Sequence, residues 1–242
     1  MMVPENLICL HHGEEQLRVK AIEQLASDQI SLLHLTVVER VMDLADVLRQ
    51  HETDDEDLKL IQVFGMRCFN AFASSTKLTL SGYSQTAALL LRDVLETTFL
   101  LDLFRGERAL ISEWRLADKQ ARKKKFGPIH IRMKLDNRDG LTNLKRAAAY
   151  DLLSELAAHP TMQSVAMLRP LNMDAQIGPF IDNTVLTAVL AEMGKLAIQV
   201  GEQLYEFVPK GWQNGLLARA SFLDAKKRWI DTFYPAAGSS SG

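Results

Sequence analysis

Residues 83–104 constrain the chain most, because apolar side chains there occupy nearly every face of a helical projection, from Ala87 and Leu89 through Leu91, Val94 and Leu95 to Phe99–Leu101 and Phe104. A helix that is apolar all round has to be covered on all sides. It therefore predicts an all-α, multi-helix bundle with a buried central helix at about 83–104. Arg92, Asp93, Glu96 and Asp102 fall within about one bilayer length of this segment, and charges at that depth are expensive, so no membrane span is expected.

Other segments supply the cover. Apolar residues recur at helical spacing over 14–50, as one helix or as two joined near Ser27-Asp28, where a cap would restart the helix. The acids of His51-Glu-Thr-Asp-Asp-Glu-Asp favour the N-terminus of a helix over 55–75. Thr79-Leu-Ser-Gly-Tyr is a break. A charged helix over 107–125 should close at Gly127-Pro128, followed by a brief helix or irregular linker over 129–140. Helical spacing returns over 141–158, stops at His159-Pro160, is lost over 161–178, and resumes over 180–208 and 214–233. The expected organisation is a single helical domain, 1–235, with 14–50 either joining the core or standing as an appendage, and a flexible tail, 236–242.

The only cysteines, Cys9 and Cys68, offer neither a disulfide framework nor a thiolate metal site. No leader of signal-peptide type is evident, so a cytoplasmic location is expected. The net charge of −2 conceals an uneven distribution. Residues 1–60 carry 5 Lys/Arg against 13 Asp/Glu, whereas residues 115–146 carry 11 Lys/Arg against 3 Asp/Glu. Such polarity suits an acidic partner, either nucleic acid or an acidic protein, or a homodimer in which unlike surfaces meet.

Three groups of residues could carry function. Arg92 and Glu96 are neighbours on one stripe of the central helix, where burying an ion pair is unfavourable unless other groups satisfy it. The segment 150–160 places Asp151, Glu155 and His159 on one helix face and Tyr150 and Ser154 on the adjacent one, with His159 at the carbonyl end of the helix dipole. Arg122, Lys123, Lys124, Lys125 and Arg132 lie in a basic stretch of the kind that contacts phosphate backbones, although few aromatics interleave it. Each group also has a plain structural explanation: a rim ion pair, a capping histidine and a solvated face. No metal or cofactor motif is present: the Walker loop, G-x-G-x-x-G, G-x-S-x-G and His-Glu-x-x-His patterns are all absent.

Gly-Tyr-Ser-Gln-Thr-Ala…Leu-Leu-Arg-Asp-Val-Leu-Glu (82–96) together with Tyr-Asp-Leu-Leu-Ser-Glu-Leu-Ala-Ala-His-Pro (150–160) resembles an uncharacterised family of all-helical bacterial proteins that carry Arg-x-x-x-Glu on one core helix and Ser-Glu…His-Pro on a later one. The resemblance covers about residues 60–205 and implies that Arg92, Glu96, Ser154, Glu155 and His159 converge. More distantly the chain is similar to HEPN-type bundles, many of them ribonucleases. It departs from their Arg followed four to six residues later by His, since the arginine before His159 on its helix is Arg146. The leading expectation is a regulatory or binding module with a basic face. The alternative is a HEPN-like nuclease or other phosphodiester- or nucleotide-acting enzyme using Arg92, Glu96 and His159.

Overall fold

The structure is a computed structural model that describes residues 4–142, 144–170 and 173–235. Residues 236–242, the expected flexible tail, lie outside the described residues. Among those described, the chain forms eleven α-helices and one short π-helical segment, with no strand.

Local signals set the first helices. Helices α1 (Glu5–Leu25) and α2 (Gln29–Arg49) are separate because Asp28 turns its carboxylate back to accept from the backbone N–H groups of Ile30 and Ser31, at 3.1 and 3.2 Å. Asp55 caps α3 (Glu56–Leu80) in the same way. The turn that follows needs Gly82. Its φ is +88°, and a Cβ there would stand 2.7 Å from the Phe180 backbone nitrogen, which donates to the Gly82 carbonyl. This contact ties the start of α4 (Ser84–Gly106) to the loop leading into α10 (Asn183–Phe207).

Helix α4 is the buried central helix the sequence predicts. It packs against α3 on one side and α10 on the other, and α7 (Pro128–Arg138), α8 (Lys145–Leu153) and the π-helical segment Ser154–Ala158 cover its remaining flank. Helix α10 is long and apolar enough to cross a membrane by length and composition, yet 56% of its most apolar stretch is buried among α2, α3 and α4. Helix α2 places Val37, Val41, Leu44 and Leu48 in the core, while α1 buries only Ala21 and Leu25.

Four segments differ from expectation. The charged stretch 107–125 forms two helices, α5 (Ala109–Leu116) and α6 (Lys119–Phe126), because Asp118 accepts from Ala121 N–H at 2.7 Å and starts a new helix. The stretch 129–140 is the full helix α7, begun by Pro128 at its first position, where the missing N–H costs nothing. Residues 141–158 do not form one helix. Leu144 adopts a left-handed conformation before α8, and after Leu153 the hydrogen bonding widens so that His159 N–H reaches Ser154 O. A short helix, α9 (Met162–Ala166), held by a Thr161/Ser164 capping box, lies in the connection that showed no period.

Helix α11 (Gln213–Phe233) closes the bundle over α2 through a buried histidine. Trp229 donates its indole N–H to His34 Nδ1 at 2.9 Å, and Phe233 stacks on the imidazole at 4.6 Å. Burial, reinforced by Lys195 and opposed by Asp28 and Glu192, pushes the His34 pKa below its ordinary value. The unfolded chain takes up a proton near pH 6.5, about the free-imidazole value, while the folded ring does so only at lower pH. This contribution to stability is therefore complete above about pH 6.5 and is lost as the pH falls below it. The urea midpoint should drop between about pH 7.5 and 5.5, and drop less in His34→Gln, whose amide oxygen can still accept from Trp229. Equal drops in the two proteins would exclude His34 as the cause.

Candidate functional site

The flank of α4 that faces α7 and α8 carries the polar residues singled out in the sequence. Along the expected stripe, Leu89 is exposed, Arg92 and Glu96 are half-buried, and Leu100 and Leu103 are fully covered. The pair thus sits where α4 passes from surface to core. Arg92 Nη2 lies 3.1 Å from Glu96 Oε1 and also donates to the Tyr150 hydroxyl from α8. Both Arg92 and Arg132 lie over the Tyr150 ring, their guanidinium carbons 4.7 and 4.1 Å from its centroid. Arg132, from α7, is buried.

Arg92, Glu96 and Tyr150 therefore come together, joined by an arginine expected only as part of the basic stretch. The others do not join them. The Ser154 hydroxyl is buried and bonds back to the Tyr150 carbonyl at 2.8 Å, which supports the π-helical turn rather than a site. Glu155 and His159 are exposed, and no hydrogen bond or ion pair links either side chain to the other, to Arg92 or to Glu96. Asp151 is exposed as well.

Five of the eleven cations of the basic stretch are neutralised inside the molecule. Arg115 pairs with Asp57 at 3.0 Å, Lys134 with Glu107 at 2.9 Å, and Lys125 with Glu113. Arg138 and Arg146 enter a network with Asp102 of α4 and Asp136 and Asp139 of the α7 end: Arg138 grips Asp102 at 3.0 Å, and Arg146 holds Asp136 at 2.7 Å and also Asp139. Arg138 above all, with Arg146, holds the Asp139 carboxyl down to about 2 against the desolvation that raises it. Sequence reasoning missed this network. Its one visible sign was Asp102, a carboxylate within the otherwise wholly apolar run Phe99–Phe104.

Arg122 has no carboxylate partner but is pinned. It stacks over Trp114 at 4.4 Å and donates to the carbonyls of Trp114 and Ala117 at the end of α5. Lys119, Lys123 and Lys124 have no carboxylate within ion-pair distance among the described residues. Lys119 and Lys123, four apart on α6, share a face and rim a cavity of about 480 Å³ whose walls are Phe64, Phe99, Trp114 and Phe126, with Arg67, Asp93 and Glu96. That volume lies within the usual range for small-ligand sites, and cations outnumber carboxylates around it. The aromatics that are few in the basic stretch are thus supplied mostly by α3, α4 and α5, with Phe126 from α6 itself, a convergence with no local sequence signal. Lys124 and Lys125 do not line the cavity.

Cys68 is buried, and burial pushes its thiol up to about 12, which suits an inert core residue. Among the described residues no three His, Cys, Asp or Glu side chains gather as a metal site would require. The fold and site define an all-helical bundle with a cationic, aromatic-walled cavity beside a half-buried Arg–Glu–Tyr–Arg cluster. Comparison with family models, curated proteins and solved structures finds no match to this chain.

Proposed function

We propose that the protein is a binding module for nucleic acid, engaged through the N-terminal part of α6 and the cavity beside it. The observation that carries this reading is the position of Lys119 and Lys123: exposed cations with no carboxylate partner among the described residues, lining an aromatic-walled cavity. Unpaired lysines supply the sequence-independent attraction to phosphates, and aromatic walls accept a base face. The catalytic alternative needs His159 beside Arg92 and Glu96, and no hydrogen bond or ion pair joins them. Support therefore falls on binding.

Fluorescence anisotropy with a labelled single-stranded oligonucleotide tests the proposal. Affinity should fall steeply between about 50 and 200 mM salt, and the combined substitution Lys119→Ala, Lys123→Ala and Lys124→Ala should weaken it at least about tenfold and flatten the salt slope. Affinity unchanged by salt or by the three substitutions would overturn it. Equal binding of an acidic polypeptide would instead assign the surface to an acidic protein.

A further inference from the structure

Arg132 is hard to account for as a purely structural residue. It is 9% exposed and, among the described residues, donates no hydrogen bond and has no carboxylate within ion-pair distance; its Nη1 is sealed from solvent without a partner there. Its one specific contact is the Tyr150 ring at 4.1 Å, and a cation–π contact offsets only part of the cost of burying a charge. Arg92 lies over the same ring at 4.7 Å, so the two guanidinium carbons are separated by at most the sum of those distances, and like charges that close repel. Arg92 Nε is also sealed and unpartnered. Among the described residues Glu96, bonded to Arg92 at 3.1 Å, is the one carboxylate paired with either arginine, which leaves one positive charge in excess.

The donors left over define what is missing. Tyr150 accepts from Arg92 and keeps its own O–H for donation. Of the Arg132 guanidinium only Nη1 is fully sealed; its Nε–Nη2 edge, which matches two oxygens of a tetrahedral anion, is not. We propose that Arg132, Arg92 and Tyr150 form a binding site for a phosphoryl group, either free phosphate or the phosphate of a nucleotide. The site is distinct from the exposed lysines of α6. Glu96 is common to this cluster and to the wall of the aromatic cavity, so a nucleotide whose base occupied the cavity would have its phosphate beside the cluster. Glu96 also repels any anion placed there, so neutralising it should strengthen binding.

The test is the thermal unfolding midpoint of the full chain titrated with inorganic phosphate, with adenosine monophosphate in a second arm, each against chloride at matched ionic strength. A saturable rise above chloride in either arm is expected, and the arm with the lower apparent Kd identifies the source of the group. Arg132→Met keeps an unbranched apolar stem, shorter than that of arginine, and removes an unpaired buried charge, so it should fold at least as well in chloride while its apparent Kd weakens at least about tenfold. Tyr150→Phe, which keeps the ring and loses only the O–H, should weaken it several-fold, and Glu96→Gln should tighten it. The lysine substitutions on α6 should leave the response to inorganic phosphate intact, so the failure of one proposal is distinguishable from the failure of the other. No rise over chloride in either arm, or an unchanged response in both Arg132→Met and Tyr150→Phe, would overturn the site.

Discussion

Replacing Arg146 with methionine should destabilise the protein by about 3 kcal/mol, since removing one partner of a buried ion pair leaves the other charge uncompensated. Arg146 of α8 bridges Asp136 and Asp139 and approaches Asp102 at 3.8 Å, while the side chains of Asp102 and Asp136 are only 11% and 10% exposed. Its loss leaves Asp136 without its arginine and Asp102 with Arg138 and Arg105. For a chain of this size the loss corresponds to a fall in Tm on the order of 10 °C. Adding Asp136→Asn should recover part of it, because deleting both partners costs less than deleting one. A loss under about 1 kcal/mol would mean that water already screens these charges, as at an ordinary surface salt bridge.

Gly201→Ala should also destabilise, by about 2 kcal/mol, opposite in sign to what the local sequence suggests. In a helix interior alanine is better than glycine by about 1 kcal/mol, so α10 taken alone should gain. In the bundle, a Cβ at Gly201 would stand 2.2 Å from Phe222 Cε2 and 2.3 Å from its Cζ, far inside normal contact. Phe222 is 1% exposed in a close-packed interior, so relieving the overlap means displacing its ring or α11. The same change made in a Phe222→Leu background should cost much less, which urea denaturation of the two single variants and the double variant would reveal. A stabilised Gly201→Ala protein would show that the ring moves freely.

The helices with local signals were legible. Asp28 and Asp55 announce starts because a cap is made within three residues of itself, and the apolar faces of 83–104 demand burial whatever covers them. Asp118 makes the same kind of cap but stands among charges in an apparently continuous helical stretch, so the break between α5 and α6 went unread. The π-helical turn at Ser154–Ala158 left the spacing of Glu155 and His159 intact in sequence while altering the hydrogen bonding on which the shared face was inferred. Of the expected cluster, the Arg92–Glu96 pair was readable because both partners sit one turn apart on one helix.

The sequence by itself determined the helical class, most helix starts and the need for a buried α4, since each follows from propensity, capping or periodicity over a few residues. Tertiary structure alone decided which charges remain free. Helices far apart in sequence bring Asp57 to Arg115 and Asp102 to Arg138, and the same packing leaves Lys119 and Lys123 beside aromatic walls and Arg132 buried against Tyr150 without a counter-charge. The charge of a residue is fixed by its type, but its electrostatic cost depends on what the fold places within a few ångströms of it.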